Sequence, residues 1–184
     1  MNIWFTSDHH FGHKRIIELA QRPFTSVEEM DEMMIWYWND RVKPGDMVYH
    51  VGDFAFADHD PYLDRLNGVK RLILGNRDHS NRWKTGFSKR SSTVDSLLHI
   101  ALPDACHFAV RVWNRAHHGT IHLVHRHDNL RGDSQSCELG VDCWNFAPAG
   151  IEEIKAPWLG RERLNVRMAK SNSAAARQRA PPAR

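Results

Sequence analysis

An α/β fold with a more β-rich second half, an α+β arrangement, is predicted from three observations. Short apolar runs alternate with helical patterns through the first eighty or so residues. Three of those runs stop at a small residue or turn followed by Asp, Asn or His. Beyond them the chain reads as a series of strands. Its 184 residues suffice for one domain with a full core. With 41% hydrophobic and 26% charged residues, a disordered chain, a coiled coil and a disulfide-stapled miniprotein are all excluded.

The elements follow in order. Ile3-Trp4-Phe5-Thr6 is a buried strand ending in Ser7-Asp8-His9-His10. Ser26 with Glu29 three residues on is a capping-box start. Val27, Met30, Met34, Tyr37 and Trp38 then recur at helical spacing, which predicts a helix to about Asn39, before Pro44-Gly45. Met47 to Val51 is a strand leading into Gly52-Asp53, Pro61 to Leu66 a short helix closed by Asn67-Gly68, and Lys70 to Leu74 a third strand stopping at Gly75-Asn76-Arg77-Asp78-His79. Ser91-Ser92-Thr93 is placed as the cap of a helix through Leu98. Phe108–Trp113, Ile121–Val124 and Gly140–Trp144 read as strands, and Ile151–Ile154 as a last short helix interrupted at Pro157. From Met168 the composition turns to Ala, Ser, Asn, Arg and Pro. Residues 1–167 are therefore read as the domain and 168–184 as a basic, disordered tail.

The formal charge of +3 is unevenly spread. Arg161 to Arg184 carry a net +6, so the preceding 160 residues carry −3, and no polyanion groove along the body is implied. Three cysteines (Cys106, Cys137, Cys143) form no CxxC pair, which fits a reducing compartment. No run of eighteen apolar residues predicts a membrane span, and MNIWFTSDHH does not read as a signal peptide. A cytoplasmic location is expected.

Thirteen His is the unusual count. Asp8 with His10, Asp53, Asn76, and His125 with His127 all fall at strand ends, and His107 at the start of a strand. Two carboxylates, one amide oxygen and four imidazoles suit Mn, Fe, Zn, Co or Ni, whereas the lack of thiolate argues against structural zinc. Residues i and i+2 of an extended segment share a side, so Asp8 and His10 can face one ion and His125 and His127 likewise, with His9 and Arg126 pointing away. Each piece alone has a bland alternative: a D-x-H or H-x-H triplet on the surface or in the core, or Asp53 and Asn76 as turn residues. Their order and their common place at strand ends favour a metal site. His50 reads as core or as a group orienting a carboxylate ligand. The loop His117-His118, with Arg111 and Arg115 near it in sequence, is as consistent with a solvated hairpin as with a substrate mouth.

On these residues the chain resembles the calcineurin-like metallophosphoesterases. The family pattern D-x-H, G-D, G-N-H-D, a lone His and G-H-x-H is matched by DHH at 8–10, GD at 52–53, GNRD at 75–78, CH at 106–107 and VHRH at 124–127. The stretches FTSDHHFGH, RPFTSVEEMDEMM, VYHVGDFA and GVDCWNFAP are similar to those of the small bacterial and phage members. The resemblance implies a four-layer α/β/β/α sandwich, two sheets flanked by helices, with two divalent ions at the sheet edge. Mn is the first expectation, with Fe, Zn, Ni, Co or Mg as alternatives. Asp8, His10 and His127 would hold one ion, Asn76, His107 and His125 the other, and Asp53 would bridge them. A bridging hydroxide would attack phosphorus, making the protein a phosphomonoesterase or phosphodiesterase acting on a small phosphoester or nucleotide. Asp53, Arg77, Asp78 and His79 are the expected catalytic residues, and Asn76, Arg77 and His13 the expected substrate contacts.

Two departures qualify that expectation. Arg77 replaces the motif His: it can bind phosphate but cannot supply a proton near neutral pH, so His79 or His13 would have to do so. Val124 replaces the Gly before H-x-H, which is harmless only where the backbone is extended. The stretch Leu102-Pro103-Asp104 also stands where an apolar strand leading to His107 is expected. A member that binds metal or phosphoester with little turnover is the alternative these departures favour. A nuclease, tethered by the basic tail, is a further one.

Overall fold

Two β-sheets organise the chain. The computed structural model describes residues 1–56, 58–75, 78 and 137–156, together with the backbone of 94–95, 98–99, 103–105, 121–124, 136 and 157–159. The first sheet has the order β4-β3-β2-β1-β9. It comprises β1 (Ile3–Thr6), β2 (Met47–Val51), β3 (Val69–Ile73) and β4 (Val94–Asp95) in parallel, with β9 (Ala149–Gly150) antiparallel to β1. The second has the order β5-β6-β7-β8. Its strands are β5 (Leu98–His99), β6 (Pro103–Ala105), β7 (Ile121–Val124) and β8 (Ser136–Glu138), with β5 antiparallel and the rest parallel. The architecture is mixed α+β.

The first sheet is apolar on both sides, so its strands read as continuous apolar runs. Period-two alternation still assigns the faces. Val48 and Leu72 point to a cluster with Met30, Met34 and Trp38 of helix α2 (Val27–Arg41). Phe5, Tyr49, Val51 and Ile73 point the other way, to Leu139, Ala149 and Ile154 of the last helix, α4 (Ile151–Leu159). Helix α2 starts as the sequence predicts: the Ser26 hydroxyl accepts from the Glu29 N–H at 3.1 Å. The Glu29 carboxylate reaches one residue beyond the usual box and accepts from the Thr25 N–H at 2.7 Å. Helix α1 (Ile16–Leu19) was not anticipated, and α3 (Asp60–Leu63) is shorter than the predicted helix. Lys70 is buried on β3, its ammonium donating to the carbonyls of Leu63, the last residue of α3, and of Leu66 just beyond it.

Three readings need correction. Gly140–Trp144 is not a strand: Val141–Cys143 is a 3-10 turn, because the Val141 carbonyl accepts from both Trp144 and Phe146 N–H groups and the chain reverses there. The helix placed before Leu98 is replaced by β4 and β5, with Val94 and Asp95 pairing Leu72 and Ile73. The last helix continues through Pro157 to Leu159. The ring removes one intrahelical bond, and the fully buried Ile154 anchors the helix against that loss. Val124 lies in β7, in register with Glu138, so this position takes an extended backbone. The expected strand Phe108–Trp113, the 114–120 loop and the boundary at 167/168 lie outside the described residues. Among the described residues no helix is long and apolar enough to cross a membrane, and no disulfide joins Cys137 to Cys143.

Candidate metal centre

The loops leaving β1 and β2 do not diverge. Asp8 N–H donates to the Gly52 carbonyl, His10 N–H to Asp53 and Phe11 N–H to Phe54, each at 3.0 Å, and Phe56 N–H to Phe11 at 2.9 Å. This extends the parallel pairing beyond the strands and brings DHH against GD. Asp8, His10 and Asp53 then adopt left-handed backbone, at φ 60°, 54° and 55°. Such positions cost non-glycine residues about 1–3 kcal/mol each and persist where the surroundings over-determine them. Gly52, at φ 82°, makes the entry to Asp53 free of that cost.

The three side chains converge. His10 Nε2 lies 3.7 Å from Asp8 Oδ1 and 3.7 Å from Asp53 Oδ2, and one ligand atom from each residue falls within 4.8 Å of the others. All three residues are buried. The expectation that Asp8 and His10 share a side is met, but by left-handed turns rather than by strand alternation. Burial pushes the Asp8 carboxyl well above the ordinary range; the Ser7 hydroxyl opposes that shift and the Asp53 carboxylate adds to it. A cation is the species that would relieve two buried carboxylates held together. These Asp and His groups can hold a metal ion. Asp58, His59 and Asp60 form a second such group, with the two carboxylates exposed.

Backbone clamps hold the loops. Asp78, expected as catalytic, turns its carboxylate to the backbone of these loops. Its Oδ2 accepts from Asp53 N–H at 2.7 Å and Gly75 N–H at 2.8 Å, and its Oδ1 from Phe54 N–H at 3.2 Å. Gly75 abuts the site so closely that a Cβ there would lie 2.4 Å from Asp53 Oδ1 and 2.7 Å from its nitrogen. Arg22, which the sequence reading missed, donates to the Asp8 and His9 carbonyls at 2.7 and 2.8 Å and pairs bidentately with Asp142. No local signal joins residues 120 positions apart, so only the fold reveals this clamp. His9 points away from the cluster, as expected. Its Nδ1 meets His50 Nε2 at 2.9 Å between Phe11, Trp38 and Phe54. Burial, then His50, Arg22 and His10, hold His9 well below the usual imidazole range. His50 is thus fully buried in the core, against His9. His13 lies beside His10, ring centroids 5.5 Å apart. Asn76, Arg77, His79, His107, His125 and His127 lie outside the described residues, as do His117-His118 with Arg111 and Arg115.

Over 163 residues the chain is 40% identical to the uncharacterized protein MJ1445 of Methanocaldococcus jannaschii, covering 83% of this chain and 88% of that protein. The chain belongs to that protein's family. No protein-family model matches it. The Gene 66 proteins of Mycobacterium phages L5 and D29 are 39% and 36% identical over 83 residues, 42% of this chain and 40% of each phage protein. The protein of unknown function AQ665 from Aquifex aeolicus superposes with a TM-score of 0.63 at 21% identity, over 84% of this chain and 98% of its own. That likeness establishes a shared fold.

Proposed function

We propose that this protein is a metal-dependent phosphoester hydrolase of the calcineurin-like metallophosphoesterase type, a phosphomonoesterase or phosphodiesterase. One observation carries the reading: Asp8, His10 and Asp53 meet at left-handed backbone positions at the carboxyl ends of two adjacent parallel strands. Two carboxylates and an imidazole, buried together, suit a divalent first-row ion. Asp8 and His10 would hold one ion with His127, and Asn76, His107 and His125 the second, with Asp53 shared. Gly75, pressed against Asp53, supports the approach of the β3 end to the site. Bound divalent ions supply Lewis-acid activation of water and neutralise phosphoryl charge.

The chain's own residues do the rest. Asp78 and Arg22 fix the loops, so the ligand set needs no reorganisation when charge develops. Arg77 would donate to phosphate oxygens and remain charged throughout. His13, next to His10 in space, is the described imidazole able to pass a proton to a leaving oxygen. The two sheets, with α2 against one face of the first, support the four-layer sandwich as the finer architecture. A cytoplasmic setting agrees with three cysteines lacking a CxxC pair.

Purified protein supplied with Mn should hydrolyse an activated aryl phosphate or aryl phosphodiester. His10→Ala and Asp53→Ala should abolish turnover with circular dichroism unchanged. No turnover with Mn, Fe, Zn, Ni, Co or Mg would sink the hydrolase reading. Arg77 favours a second reading, a binding protein with little turnover, and under it Arg77→His should create activity that the parent lacks.

A further inference from the structure

Phe56 stands three residues after Asp53 and is 62% exposed, one of three large apolar side chains so exposed among the described residues. Its backbone is not loose. The Phe56 N–H donates to the Phe11 carbonyl at 2.9 Å, and Ala55 bridges Phe11. One face of its ring stacks on His13, centroids 4.4 Å apart and planes 10° from parallel. His13 in turn neighbours His10. A row of three rings therefore leads from the cation cluster outward, His10 to His13 to Phe56. It ends on a rigidly seated aromatic surface facing solvent.

We propose that Phe56, backed by His13, is a stacking platform for the planar ring of a nucleotide-type phosphoester. This rests on the hydrolase reading and narrows its substrate class. A nucleotide carries its base one sugar away from phosphate. Here the platform stands one side chain, His13, away from the cluster expected to take the phosphate. A π-face against the exposed side of Phe56 would be offset-stacked or edge-on, and the stack below holds the Phe56 ring in place. Stacking reads the presence of a ring and tolerates its identity, so a preference among bases is not expected.

The test uses Mn-loaded full-length protein with adenosine 5′-monophosphate and ribose 5-phosphate, which differ only in the base. Calorimetric titration reads binding, and phosphate release reads turnover. The parent should bind the adenine compound more tightly. Phe56→Ala should weaken it on the order of tenfold and leave ribose 5-phosphate unchanged, while Phe56→Trp should restore it. Equal binding of the two compounds by the parent, or equal weakening of both by Phe56→Ala, overturns the platform. Turnover of both at equal efficiency overturns the platform and leaves the hydrolase reading standing. Phe56-dependent binding without turnover keeps the platform and removes the phosphomonoesterase form of the hydrolase reading, leaving the aryl phosphodiester to decide the other. Binding of neither compound overturns the platform, and turnover of the aryl phosphate or aryl phosphodiester then decides the hydrolase reading by itself.

Discussion

Replacing Asp78 with alanine is expected to destabilise the protein by about 3–4 kcal/mol and to loosen the candidate metal centre. The carboxylate takes three backbone N–H groups, from Asp53, Gly75 and Phe54. A hydrogen bond to a charged group contributes about 1.5–3 kcal/mol. The simple sum is too large for two reasons. Burial already raises the Asp78 carboxyl above its ordinary range, a cost that removal recovers. Water also enters the space left by truncation and satisfies part of the loss. Asp78→Asn keeps one acceptor, which can serve the two shorter bonds, but sets an NH2 against the Phe54 N–H; about 1–2 kcal/mol is expected. Guanidinium unfolding at constant slope measures both. In the same variants Mn affinity by calorimetry should fall 10–100-fold, as when a group orienting a ligand is lost. Should Asp78→Ala unfold within about 1 kcal/mol of the parent and bind Mn as tightly, the carboxylate does not hold these loops and the account of the site is wrong.

Gly75→Ala forces a Cβ to 2.4 Å from Asp53 Oδ1; a loss of about 2 kcal/mol in thermal unfolding and weakened Mn uptake are expected, and a variant with the parent's melting temperature would refute the close approach. Arg22→Met leaves the Asp8 and His9 carbonyls without their donor and Asp142 without its cation, at about 3 kcal/mol. Asp142→Asn should cost less, since that carboxylate is 34% exposed, and denaturant titration ranks the two. Asp31 carries the pH prediction. Its carboxyl is raised by burial, which the Tyr62 hydroxyl and Gly12 N–H only partly offset. The folded protein therefore holds this proton more tightly than the unfolded chain, and stability is lost as pH rises from the ordinary carboxyl value through the raised one. Asp31→Asn should flatten the stability profile over that acidic window and leave its slope near neutral pH unchanged, as followed by unfolding at a series of pH values.

The residues that were legible share a physical property. Strands β1, β2 and β3 are short apolar runs buried on both faces, and helix α2 combines a Ser26 cap with apolar spacing, so composition and periodicity locate them without help from tertiary contacts. Where reading failed, a distant partner decided. Val141-Asp142-Cys143 has strand-like alternation, yet the turn bonds of Val141 and the demand of buried Arg22 for Asp142 close it into a 3-10 turn. Val94-Asp95 follows a plausible cap, yet pairs with Leu72 and Ile73. At Pro157 the local rule ended a helix that packing carried on.

The sequence by itself determined the α+β class, the first three strands and the long helix, and it singled out Asp8, His10 and Asp53 as candidate metal ligands. Only the tertiary structure decided how those three meet, through left-handed turns, the Arg22 and Asp78 clamps and the close seat of Gly75. The reason is that periodicity records which face of an element is buried. The backbone groups that hold a turn in a costly conformation come from segments far away in the chain, and nothing in the local pattern encodes them.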